Sequence, residues 1–118
     1  MKLSKCLEAL ASFQELSKME LPISVSFDVA RNTKTLKDLA MPFEETRNNL
    51  ADQYKSKSEL DENGNPIFTE DQMKSFKEEI DELLEMDQDI SLRVVDLSEC
   101  TLSVEPWKLE GCQDFIRV

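Results

Sequence analysis

From Val25 to Tyr54 the residues Val25, Val29, Asn32, Leu36, Leu39, Phe43, Thr46, Leu50 and Tyr54 recur in steps of three and four. That spacing lines up side chains along one face of an α-helix. A helix over residues 25–54 is about 45 Å long, wider than a compact domain of this size needs to be. The rest of the 118-residue chain must therefore be built around one rod. Ile23, Val25 and Phe27 alternate with Ser24 and Ser26, as a strand would, but the longer period favours a helix from about residue 23. Pro42 should kink it, because the ring leaves the carbonyl of Asp38 without a helical donor.

The remaining periodicities give shorter elements. Leu3, Cys6, Leu7, Leu10, Phe13 and Leu16 predict an amphipathic helix over 4–19, stopped by Pro22. Residues 56–68 form a loop centred on Asn63-Gly64, a dipeptide suited to a turn with positive φ. Thr69 with Gln72 three residues later is a capping box, and Met73, Phe76, Ile80, Leu83 and Leu84 carry a helix to about 86. From Asp89 the period changes to two, with Ile90, Leu92 and Val94 on one face. Leu102 and Val104 make a second short strand. Pro106 suits the first position of a last short helix holding Trp107, Leu109, Cys112, Phe115 and Ile116. The expected fold is α+β and predominantly helical, a single domain over 1–118. A long antiparallel helical hairpin spans about 23–86, flanked by the N-terminal helix and a small β/helix element at about 89–118.

Charge narrows the partners. Residues 1–60 hold nine Lys/Arg and nine Asp/Glu, so the net charge of −11 arises in the second half. Phosphate backbones and anionic membranes repel such a chain, which argues against nucleic-acid or membrane binding. No histidine is present, which removes the commonest general base and metal ligand. Cys6, Cys100 and Cys112 lack CxxC spacing and read as buried free thiols of a reducing compartment, hence a cytoplasmic protein. Charges interrupt every apolar run, so neither a signal peptide nor a transmembrane segment is expected.

Several motifs come close to known chemistry and fail. Asp61-x-Asn63-x-Asn65 starts like a calcium loop, but Gly64 falls at the fourth position and Gln72 at the twelfth, where an EF-hand needs glycine at the sixth and glutamate at the twelfth. Glu78-Glu79-x-x-Glu82 resembles half of the magnesium site of all-helical nucleotide pyrophosphatases. No second helix supplies the matching Glu-x-x-Asp, so an exposed acidic face is the simpler reading. A nucleophile–histidine pair and a glycine-rich phosphate loop are both missing. The expectation is a protein that is not an enzyme and uses no cofactor or metal.

The basic residues of the long helix are the remaining candidates. Arg31, Lys34 and Lys37 share one face with no acidic neighbour between residues 29 and 37. They would either answer the acidic half through weak surface ion pairs or mark a ligand site. In the second case Arg31, Asn32, Arg47 and Tyr54 line a pocket: arginine clamps a phosphate or carboxylate, asparagine bonds a base or amide, and tyrosine stacks. In the first, Asn32 sets helix register. Trp107 reads as a core or interface anchor rather than a stacking platform.

Three segments together carry a resemblance: Leu21-Pro22-Ile23-Ser24-Val25-Ser26; Ala30-Arg31-Asn32 running into Phe43-Glu44-Glu45-x-Arg47; and Asp61-Glu62-Asn63-Gly64-Asn65. The chain resembles a family of small acidic proteins encoded by tailed phages and prophages of Gram-positive bacteria. Those relatives carry a Tyr-Gly pair before the turn, where this chain has Tyr54-Lys55. The resemblance implies an accessory protein made in the host bacterial cytosol during infection. Such proteins serve assembly, block a host defence protein, or act as oligomeric sponges for nucleotide messengers. The expected function is a homo-oligomer that sequesters a small anionic nucleotide-like ligand as an anti-defence sponge. The alternative is an acidic protein-interaction module that blocks a host protein or serves phage assembly.

Overall fold

The long helix forms as its periodicity requires, and it runs without interruption over Ile23–Ser56 (α2), including Ser24, Ser26 and Pro42. Its 34 residues correspond to about 51 Å, and the whole molecule, a computed structural model describing residues 1–98 and 106–117, measures 58 × 31 × 20 Å. The radius of gyration is 18.4 Å, against about 13–14 Å for a compact chain of this length. The excess is the exposed half of α2.

Two parts share this rod. In the head, helix α1 (Leu3–Ser17) lies along the first half of α2. Cys6, Ala9, Phe13 and Leu16 of α1 meet Val29, Leu36 and Phe43 of α2 in one buried cluster. The positions expected of the α1 stripe are buried or half-buried, and Ser12 joins them. In the arm, helix α3 (Glu70–Leu84) packs on the C-terminal part of α2, giving the expected antiparallel hairpin. The Thr69 capping box is complete: the Thr69 hydroxyl accepts from the Gln72 amide at 3.1 Å, and the Gln72 side chain accepts from the Thr69 amide at 2.9 Å.

The tip of the arm is a small antiparallel ladder, β1 (Glu59–Leu60) with β2 (Pro66–Ile67). Gly64 takes φ +81°, a value that favours glycine because no Cβ opposes it. Asp61 Oδ1 accepts from the amides of Asn63 and Asn65, both at 2.9 Å. The Asp61 carboxylate thus closes its own loop, as the turn reading expects.

Backbone pairing ties the chain start to the end of α3. The Leu3 amide donates to the Met86 carbonyl at 2.9 Å and the Gln88 amide to the Met1 carbonyl at 2.7 Å. Lys2 Nζ lies 2.6 Å from Glu85. The bonds at Met86 and Gln88 satisfy backbone groups where α1 has no side-chain cap.

The C-terminal element differs from the expected one in phase and in type. Ile90 and Leu92 are half-buried, but Val94 turns outward, and Val95 and Leu97 fill the core instead. The strand proper is β3 (Val95–Asp96), which pairs in parallel with β4 (Ile116–Arg117). Between residues 92 and 95 the inward face shifts by one residue, so a strict period of two cannot continue. Ile116 belongs to that ladder and not to a helix. Residues Pro106–Phe115 form a 3-10 segment broken at Cys112, whose φ −115° and ψ 16° are not helical. The expected strand at Leu102 and Val104 and the cysteine at 100 lie outside the described residues.

Cys6 and Cys112 are buried and free. Burial raises both thiols, Cys112 to about 11. In the unfolded chain a thiol ionises near 8.5, so between that pH and about 11 the native state holds a proton that the unfolded state has lost. Stability should be full below about pH 8 and fall as pH rises towards 11. Thermal melts across that range should fall less steeply for Cys112→Ala than for the unmodified chain.

Gly111 seals the 3-10 segment to α1. A Cβ there would sit 2.3 Å from the Glu8 carbonyl oxygen and 2.7 Å from Ser12 Oγ. Since the nearest obstacle is helix backbone, Gly111→Ala should destabilise the protein by about 1–3 kcal/mol, as overpacking does. Urea unfolding measures this directly. An unchanged midpoint would mean that the two elements do not make this contact.

Candidate functional site

The four residues expected to line a pocket are strung along one helix. From Arg31 to Arg47 is 16 residues, about 24 Å, and Arg31 to Tyr54 spans about 35 Å. Within one chain they do not converge. Arg31 and Arg47 are exposed, and each guanidinium lies over the phenylalanine one turn earlier, Phe27 at 5.7 Å and Phe43 at 5.8 Å. Among the described residues no carboxylate lies within ion-pair distance of Arg31, Arg47, Lys34 or Lys37. The weak surface pairs expected between this basic stretch and the acidic half are therefore not formed among the described residues. A pocket lined by both Arg31 and Arg47 would need a second copy.

Asn32 has a structural job. Its side chain is buried, with Nδ2 donating to the Arg93 carbonyl at 2.8 Å and Oδ1 accepting from the Arg93 amide at 2.9 Å. This pair of bonds imitates a strand partner and holds the chain at the point where its inward face changes phase. The Arg93 guanidinium reaches back to Asp28 at 3.8 Å. The register-setting role expected for a buried polar residue is realised against a loop backbone rather than a second helix.

Tyr54 lies at the far end of α2. Its hydroxyl donates to Glu79 at 2.9 Å, and its ring meets Phe76 edge-on at 5.7 Å. Desolvation raises its phenol, and the Glu79 carboxylate adds to the effect. Glu79 remains exposed on the acidic face while accepting this bond. The other carboxylates of that run, Glu78, Asp81, Glu82 and Glu85, are exposed.

Around Tyr54 the arm does form a cavity, of about 320 Å³, between α2 and α3. Ala51, Tyr54, Lys55, Phe68, Met73 and Phe76 line it, and almost all of its wall is apolar. Sequence reasoning placed Met73 and Phe76 on the helix stripe, but their partial exposure was not legible there. Helix α3 has no buried residue; Met73 is 62% exposed, and Leu60, Ile67 and Phe68 at the tip are exposed as well. A 15-residue helix is marginal by itself in water, so α3 depends on a seam that is only half covered. Around this groove the arm is strongly anionic: residues 44–85 carry thirteen Asp/Glu and five Lys/Arg.

A broader depression of about 620 Å³ lies between α1 and the 3-10 segment, bounded by Lys5, Glu8, Glu15, Trp107 and Gly111. Its charges offset each other, with Lys5 3.6 Å from Glu8, so it shows no preference for an anion. Trp107 stands at its rim, 64% exposed, which corrects the core-anchor reading. Among the described residues no helix is long and apolar enough to cross a membrane.

Asn32→Ala would leave the Arg93 amide and carbonyl without partners, at a cost of about 1–3 kcal/mol. Denaturant unfolding should register that loss. A variant as stable as the parent would return Asn32 to the list of ligand groups. No family model, curated protein or solved structure matches this chain.

Proposed function

We propose that this protein is a non-catalytic protein-interaction module whose acidic arm docks a basic, amphipathic helical segment of a partner protein. The observation that carries the reading is the apolar groove between α2 and α3, set in an arm with an eight-charge excess of carboxylates. An apolar groove between two helices accepts the apolar face of a third. The surrounding carboxylates favour cationic flanks and speed encounter. Large apolar side chains left exposed together on a soluble surface support an interaction role.

The resemblance to small phage proteins supports a setting in the host bacterial cytosol, where such a module would block a host defence protein or serve assembly. Sequestration of a small anionic ligand has one observation in its favour: the guanidinium groups of Arg31 and Arg47 are exposed, with no carboxylate beside them among the described residues. That reading requires arginines from different copies to meet at one ligand.

The test uses a fluorescent helical peptide of alternating leucine and lysine faces, with a glutamate version as control. The lysine peptide should bind with a Kd in the micromolar range, about −8 kcal/mol, and weaken as salt rises. Met73→Asp, at an exposed position, should reduce affinity at least tenfold while leaving the circular dichroism unchanged. Equal binding of both peptides, or no loss in Met73→Asp, would refute the docking role.

A further inference from the structure

The head carries a face that fits the arm. On the outer side of α2, Ile23 is 89%, Phe27 61% and Met41 65% exposed. At 100° per residue Ile23, Phe27, Ala30, Lys34 and Met41 fall within about 60° of one another, with Arg31 and Lys37 on either flank. The stretch 29–37 of α2, which holds Arg31, Lys34 and Lys37 and no carboxylate, thus sets cations beside an uncovered apolar face, with Asp28 and Asp38 at its two ends. It has the chemistry that the groove between Ala51, Tyr54, Phe68, Met73 and Phe76 selects. Its cations lack carboxylate partners within the chain among the described residues, while the arm holds the surplus of anions.

We infer that a second copy of this chain covers the groove: two molecules pair antiparallel, the head face of each α2 lying in the arm groove of the other. This inference rests on the docking role proposed above and names its partner. An arm cannot reach its own head face, because both are parts of one continuous helix. Around α2 the groove residues Lys55, Ala51 and Tyr54 lie about 60°, 100° and 160° from Lys34. In the pair one two-fold operation makes both contacts at once, and an isologous pair closes as a dimer. In it Arg31, Lys34 and Lys37 face the partner's anionic arm. Ile23, Phe27 and Met41 replace water over the partner's Met73 and Phe76.

Sedimentation velocity at tens of micromolar in about 0.15 M salt tests the pairing. The unaltered chain should sediment as a dimer and dissociate partly at 1 M salt, where the Debye length falls to about 3 Å. Phe27→Asp spoils only the head face and Met73→Asp only the arm, and both positions are exposed, so each variant should fold and run as a monomer. An equimolar mixture of the two retains one intact head-to-arm contact and should recover a heterodimer. A monomeric unaltered chain, or variants that still dimerise, would overturn the inference. The lysine peptide separates the two levels of the argument. If Phe27→Asp binds it and Met73→Asp does not, while the unaltered chain is monomeric, the docking role stands and self-pairing fails. If neither binds it and dimers are absent, both fail.

Discussion

A 34-residue helix and a 15-residue helix cannot cover each other. Everything else in this structure follows from that mismatch. Helix α1 buries the apolar stripe of α2 from Val29 to Phe43, where the core is fully closed. Beyond Phe43 only α3 remains to cover the stripe, and two helices side by side always leave their seam open to solvent on both flanks. Hence the largest buried side chains all lie in the head, and the arm has half-buried ones only. Stability should be graded in the same way, highest in the head and lowest towards the tip.

The head is held together by specific contacts as well as by apolar burial. Gly111 lets the 3-10 segment approach the Glu8 carbonyl, Asn32 clamps the Arg93 backbone, and the backbone of Met1 to Leu3 pairs with that of Met86 to Gln88. Each joins segments far apart in sequence. They decide the course of the chain after α3, where propensity is weak. The arm relies on local devices instead: the Asp61 loop, Gly64 and the Thr69 capping box. A local device sets the geometry of a hairpin but adds no buried area, so the arm is well shaped and poorly covered.

Electrostatics and exposure point the same way. The arm concentrates carboxylates around an apolar groove, whereas the first half of α2 sets cations around exposed apolar side chains. Within one copy the two surfaces are held apart by the rigidity of α2. The composition of the whole chain, averaged over both parts, conceals a charge imbalance this local.

Period, caps and turn residues are properties of adjacent residues, and these the sequence determined unaided. It set the long helix from Ile23 through Pro42 to Ser56, the stripe of α1, the Asn63-Gly64 turn, the Thr69 cap and the resulting hairpin. What it could not determine is how much of each stripe is covered, because coverage depends on the lengths and positions of other elements. Met73 and Phe13 look alike as stripe residues, yet one is mostly exposed and the other wholly buried. The same holds for Asn32, whose partner lies 61 residues away. It holds too for the inward phase at Val95, reset by that clamp, and for Arg31, Arg47 and Tyr54, which helical spacing aligned but whose separation along the rod keeps them apart. Only the tertiary structure decided these, since burial and partner choice are set by distances between segments that no local pattern encodes.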